Sequence, residues 1–172
     1  MKAIKARKVE SVIQISDAIT RPANTTQYAA GDALSEVTTN DFFTLTSGNE
    51  IATRRGVIVG ASLFTTAYSA TPPSIDILLF NNPSDLPTET ADNATVAITD
   101  AEMLFCVARL QFLTGNWTRG GTNMFQDLEL NRHIRIPNVD GAFSLYGQAV
   151  LQNTYTPASG EVFTLSLTVR LD

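Results

Sequence analysis

Phe163-Thr164-Leu165-Ser166-Leu167-Thr168-Val169-Arg170-Leu171 alternates apolar and polar residues without a break. Side chains on a strand point to opposite faces with period two. Phe163, Leu165, Leu167, Val169 and Leu171 therefore form one apolar stripe, and Thr164, Ser166, Thr168 and Arg170 form a wet one. Such a stripe needs a second sheet to cover it, which is the requirement of a β-sandwich. Fully burying each of these apolar side chains contributes about 1.5–3 kcal/mol, enough for this one strand to anchor a domain.

Working outward, Tyr155-Thr156-Pro157-Ala158-Ser159-Gly160 is a turn-rich link from a preceding strand at Phe143–Leu151, which follows the Asn138–Gly141 turn. Leu128–Ile136 reads as a strand ending before Pro137, with a polar start that would also suit a brief helix. Gly115–Asn123 reads as a flexible loop holding the only tryptophan, Trp117, and Phe105–Leu113 as the strand before it. Thr99-Asp100-Ala101-Glu102 fits a capping box, with Ile98 and Met103 placed for a hydrophobic staple, so a helix of a turn or two is expected there. Asn81–Thr95 is a long polar loop, and Ile75–Phe80, apolar almost throughout, is expected at the centre of a sheet.

Thr53–Thr66 is the longest strand candidate, with Val57, Val59, Ala61 and Leu63 on one face. Gly56 and Gly60 interrupt the other face, so the strand should bend or bulge. Phe42–Thr46 and Lys8–Ser16 are further strands, and Arg21–Thr26 is a loop stiffened by Pro22. About eight or nine strands with one short helix predict a single-domain all-β fold over residues 1–172. It is an antiparallel β-sandwich of jelly-roll type, with a lipocalin-like barrel as the structural rival.

Composition narrows the function classes. Only 17% of the 172 residues are charged and the net charge is −5, which argues against a general nucleic-acid binder. The local exception is Lys2, Lys5, Arg7 and Lys8. Residues 1–8 read either as a solvated end or as a basic arm that meets an acidic neighbour. No apolar core of a signal peptide follows this basic start, and no apolar run approaches the length of a membrane helix. Synthesis and folding in a cytoplasm are expected, with no membrane partner. Cys106 is the only cysteine and His133 the only histidine, so neither an intrachain disulfide nor a common zinc motif can be written.

Catalytic chemistry has little to stand on. A Ser/His/Asp arrangement would need His133, which as a strand residue beside inward Ile134 points outward. Asp127 and Glu129 would share one strand face about 7 Å apart, a spacing also common on wet strands. Asp85, Glu89 and Asp92 lack the spacing of a calcium loop. There is no phosphate loop and no dinucleotide fingerprint, so no cofactor is expected. Trp117 and Tyr155 suggest sugar stacking, an interface, or a core role. Arg132, His133 and Arg135 form a modest basic patch.

Taken as a set, these segments resemble a known family. Arg21–Asp32, Ile75–Phe80, Asp92-Asn93-Ala94, Thr99–Glu102, Leu145-Tyr146-Gly147 and Tyr155–Ser159 with the closing strand resemble small virion structural proteins of tailed bacteriophages. The resemblance covers nearly the whole chain and carries turn and strand signatures with no catalytic content. It implies a non-enzymatic head decoration protein on the capsid surface. Such a protein would bind the major capsid protein and itself, trimers being frequent. The shared motifs name no contact residues; the candidates read from this sequence itself are Lys2, Lys5, Arg7, Lys8, Asp85, Trp117, Arg119, Arg132 and Arg135. A carbohydrate- or receptor-binding module using Trp117 and Tyr155 is the alternative.

Overall fold

The computed structural model describes residues 11–37, 42–47, 55–81, 86–135 and 144–171. Its strands are β1 (Ser11–Thr20), β2 (Ala33–Leu34), β3 (Phe43–Thr46), β4 (Arg55–Thr65), β5 (Ile75–Phe80), β6 (Cys106–Phe112), β7 (Thr118–Arg119), β8 (Met124–Arg135), β9 (Ser144–Leu151) and β10 (Val162–Leu171). One helical turn, α1 (Asp100–Met103), and a 3-10 turn at Thr114–Asn116 interrupt them.

The alternating closing segment became β10, and its period-two pattern is obeyed residue by residue: Phe163, Leu165, Leu167 and Val169 are fully buried, with the intervening residues half-buried. It sits inside a sheet ordered β1-β10-β4-β8-β7, paired antiparallel to both neighbours. The covering sheet runs β2-β9-β5-β6, with β3 pairing a second part of β9. Leu165 and Leu167 share one core with Ile77, Leu79, Leu110, Leu145 and Ala149 of this second sheet. The chain passes repeatedly from one sheet to the other between successive strands, which is the double Greek key of a jelly roll. Among the described residues no strand pairing joins the two sheets, so the barrel alternative is set aside.

Several expectations are corrected by packing. β1 continues to Thr20 instead of ending at Ser16, because Ile19 extends the inward series of Ile13 and Ile15 and pairs with Phe163. Lys8–Glu10 lie outside the described residues. The face expected for β4 is broken by a bulge near Val59. Ile58 pairs with Val169 and Gly60 with Thr168, so Ile58 and Ala61, three residues apart, both join the core. The glycines did mark the irregularity, but the inward set is Ile58, Ala61 and Leu63. β8 begins at Met124, four residues earlier than expected, and its polar start is strand rather than helix, since Gln126 pairs with Leu63 and Asp127 with Ser62. The supposed flexible loop around Trp117 is a 3-10 turn followed by β7, which pairs with Phe125 and Met124.

β9 needs a glycine. A Cβ at Gly147 would stand 3.0 Å from Ile77 Cγ2 and 3.3 Å from Phe43 Cβ, closer than a packed core accommodates without movement.

Candidate functional site

The long excursion between β5 and β6 organises the outer surface of the second sheet. Its turn at Asn93 takes a left-handed backbone (φ +62°) that asparagine tolerates. From there it runs beside the segment that leads into β2, with Ala33 N donating to Ala94 O (2.8 Å) and Val96 N donating to Gly31 O (2.9 Å). It then returns through α1. The expected capping box is present: Glu102 N donates to Thr99 Oγ1 (3.3 Å), and Thr99 N donates to the Glu102 carboxylate (2.6 Å). The Thr99 backbone N–H, then its hydroxyl, hold the Glu102 carboxyl below its ordinary value. Thr88 N also donates to Glu102 (3.2 Å), tying the two limbs of the excursion together.

Between this return limb and the sheet lies a hollow of about 270 Å³ lined by Asp76 and Leu78 of β5, Val150 of β9, Gly31, Gln152, Val96, Ile98 and Met103. Asp76 is buried and ion-paired with Arg109 of β6 (2.6 Å). At its rim Met103 is 42% exposed, Leu104 83% and Phe105 39%. The sequence pattern starts the next strand at Phe105, the last residue of this run. Only from Cys106 onward does it enter the sheet, so three large apolar side chains in succession face solvent. A signal was present in the sequence: the capped turn ends at Met103, one residue before Leu104, and leaves these residues no strand to belong to.

A buried polar clasp holds the base of the excursion. Arg21, expected in a loop, is 1% exposed. Its Nε donates to Tyr28 Oη, its Nη2 meets Asp92 Oδ2 (3.3 Å), and its guanidinium lies 4.5 Å above the Tyr28 ring. Tyr28 Oη donates to Asp92 Oδ1 (2.5 Å), which also accepts from Ser35 N (3.3 Å). On the other side, Arg21 N donates to Glu161 O (3.0 Å). The Glu161 carboxylate accepts from Thr65 Oγ1, from Tyr155 Oη (2.9 Å) and from Ala158 N (3.0 Å). Burial, then the neighbouring carboxylates, push both tyrosine hydroxyls far above their ordinary range. Nothing local in Arg21-Pro22 announces this, because its partners lie 7 to 140 residues away in sequence.

Glu161 has a testable consequence. Burial raises its carboxyl above the ordinary 4.5, and the hydrogen bonds from Thr65, Tyr155 and Ala158 pull it back by less. A folded-state value above the unfolded one means that the group's stabilising contribution is complete below about pH 4.5 and is lost as pH rises through the folded value. Denaturant midpoints of Glu161→Gln, compared with those of the parent, should therefore shift in the variant's favour as pH rises from below 4.5 toward neutral. A shift the other way would show that the buried carboxylate is held charged.

Among the described residues, the sequence-predicted contact residues Trp117, Arg119 and Arg132 do not form one patch. Lys2, Lys5, Arg7, Lys8 and Asp85 lie outside the described residues, as does the Arg135 side chain. Trp117 is half-buried against the core and its Nε1 donates to Pro73 O (2.8 Å). Arg119 is exposed, with its guanidinium 3.9 Å above the Tyr68 ring. Arg132 is exposed near the opposite end of β8, eight residues or about 26 Å along the strand from Met124, the partner of Arg119. Tyr155 is 2% exposed and bonded to Glu161, which removes it from any sugar-stacking surface. Asp127 and Glu129 are both exposed, and Ser62 Oγ donates to Asp127 (2.5 Å). His133 is exposed on the outer face. The Cys106 thiol is half-buried and raised by burial. Among the described residues no three His, Cys, Asp or Glu side chains are grouped to hold a metal, and no helix is long and apolar enough to cross a membrane.

No family model and no curated protein matches the chain. Among solved structures, a chain of the cyanophage Pam1 capsid asymmetric unit is 11% identical with a TM-score of 0.40, covering 100% of this chain and 93% of that one. A chain of Desmodium yellow mottle tymovirus is 11% identical with a TM-score of 0.30, covering 99% of this chain and 86% of that one. A family two carbohydrate esterase from Cellvibrio japonicus is 9% identical with a TM-score of 0.26, covering 93% of this chain and 35% of that one. The jelly-roll assignment rests on the chain's own strand order.

Proposed function

We propose that this chain is a non-enzymatic structural protein of a phage virion: a capsid decoration protein that associates with itself, as a trimer, and attaches to the lattice of the major capsid protein. The observation that carries the reading is the outward apolar shelf Met103-Leu104-Phe105, held on a jelly-roll frame by a capped turn and a buried clasp. Contiguous apolar side chains on a rigid surface are the mark of a surface meant to be covered. The sequence resemblance to tailed-phage virion proteins and the low charge fraction of 17% support the same reading. Cementing would work by mass action: contacts made only with the assembled shell stabilise that shell, and a stable contact of this kind covers about 1,200–2,000 Å² in total.

The test is direct. Full and emptied heads purified from lysate should both carry the chain in stoichiometric, symmetry-related copies, counted by quantitative mass spectrometry and located by cryo-electron microscopy. Finding the chain in the lysate and never in particles would overturn the proposal.

A further inference from the structure

We infer that the open edge of β8 pairs antiparallel, across a two-fold axis, with the same edge of a second copy of this chain, centred on Asn131. This rests on the self-association part of the reading above and adds a two-fold contact to the trimer proposed there.

β4 pairs with β8 from Met124 to Arg135, whereas β7, on the other side, reaches only Met124 and Phe125. Among the described residues no strand continues β7 along that side, so from Asp127 onward β8 has one ladder partner instead of two. An unpaired strand edge is a template for another strand, and proteins guard such edges by keeping them short or by placing lysine or proline on them. Asp127-Leu128-Glu129-Leu130-Asn131-Arg132-His133-Ile134-Arg135 is long and contains neither.

The residues along this edge select the partner. Leu128, Leu130 and Ile134 pack toward the core, the two leucines only in part, whereas Asp127, Glu129, Asn131 and His133 are exposed. Both acids precede Asn131, and Arg132, His133 and Arg135 follow it. Antiparallel to itself about Asn131, the strand sets Asp127 opposite Arg135 and Glu129 opposite His133, with Leu128 opposite Ile134 on the core side. A two-fold axis repeats each of these pairs, and opposite charges directly across a ladder stabilise it while like charges weaken it. Parallel in-register pairing would set Asp127 against Asp127. The edge is complementary to itself only when antiparallel.

The register is also selected. Residues opposite each other share a face, so the pairing shifts only in steps that keep outward residues opposite outward ones. One step in one direction sets Arg135 opposite Phe125, where β7 already fills the edge. One step in the other sets the two copies of Arg132 against each other and puts Pro137, which has no N–H to donate, opposite Asp127. Pairing about Asn131 avoids both and stops short of the two residues that β7 holds.

The experiment follows self-association of the full chain by sedimentation equilibrium, for the parent, Asp127→Arg, Arg135→Asp and the chain carrying both. The parent should show an association step that joins two equal units, two monomers or two trimers. Each single substitution sets like charges opposite at two places and should weaken that step about tenfold or more. The chain carrying both should regain it, since the charges are exchanged across the same ladder. Recovery also shows that the substitutions leave the fold intact. Amide hydrogen exchange gives a second readout, which a contact through side chains alone would not move. Alternate amides between Asp127 and Arg135 should slow as the parent's concentration rises, and should not in the single variants. A pairing step as strong in the single variants as in the parent, no recovery in the double variant, or exchange along β8 that ignores concentration would each overturn the inference. A parent with no pairing step that still decorates heads overturns it and leaves the virion assignment standing. Pairing that depends on Asp127 and Arg135, in a chain absent from particles, leaves this inference and removes that assignment.

Discussion

Leu167→Ala is expected to destabilise the protein by about 2–5 kcal/mol, read from denaturant midpoints at constant slope. Leu167 is fully buried, pairs with Ile15 on one side and Ala61 on the other, and stands in the middle of β10 at the middle of the core. Truncation removes the transfer free energy of three carbons and leaves a cavity. Strands fixed on both sides by ladder hydrogen bonds cannot collapse far to fill that cavity. The polar neighbours Ser166 and Thr168 point the other way, so Thr168→Ala should change stability far less. A loss under 1 kcal/mol at Leu167 would mean that the core repacks freely around β10.

Arg21→Ala should be as damaging for a different reason. Its side chain is 0% exposed and its partner Asp92 only 7%. Removing one member leaves a largely buried carboxylate with Tyr28 and Ser35 as donors and no compensating charge, a change that costs about 3–5 kcal/mol. The clasp also ties the Asp92 limb to the β1–β2 connection, so hydrogen exchange should quicken at Ser35 and Val96, whose amides are bonded within that region. Adding Asp92→Asn to Arg21→Ala should restore part of the loss, since the neutral amide needs no counter-charge. A double variant losing the sum of the two single losses would show that the ion pair is not coupled.

These two sites stand at opposite ends of legibility. The β10 stripe is visible in a run of nine residues because strand periodicity is a property of neighbouring backbone units. For the same reason the Thr99–Glu102 box was legible: both of its hydrogen bonds close within three residues. The glycines of β4 foretold an irregularity but not its phase, since the extra residue at Val59 is defined only against the registers of β10 and β8. The clasp was invisible. Arg21 sits in a polar, proline-marked stretch, and its burial exists only because three loops converge on one end of the sandwich. For Tyr155 the sequence leaves sugar stacking, an interface and a core role open, and burial decides for the core, its hydroxyl being satisfied by a glutamate that also accepts from Thr65.

The candidate surface shows the same division. The apolar run Met103-Leu104-Phe105 stands in the sequence. That this run faces solvent beside a hollow follows from the tertiary structure. Alternation along a strand is local, so sequence alone determined that this chain builds a two-faced sheet and needs a partner sheet. Which loops meet at its ends, and which apolar residues are left uncovered, are set by contacts between residues far apart in the chain, and only the tertiary structure decided them.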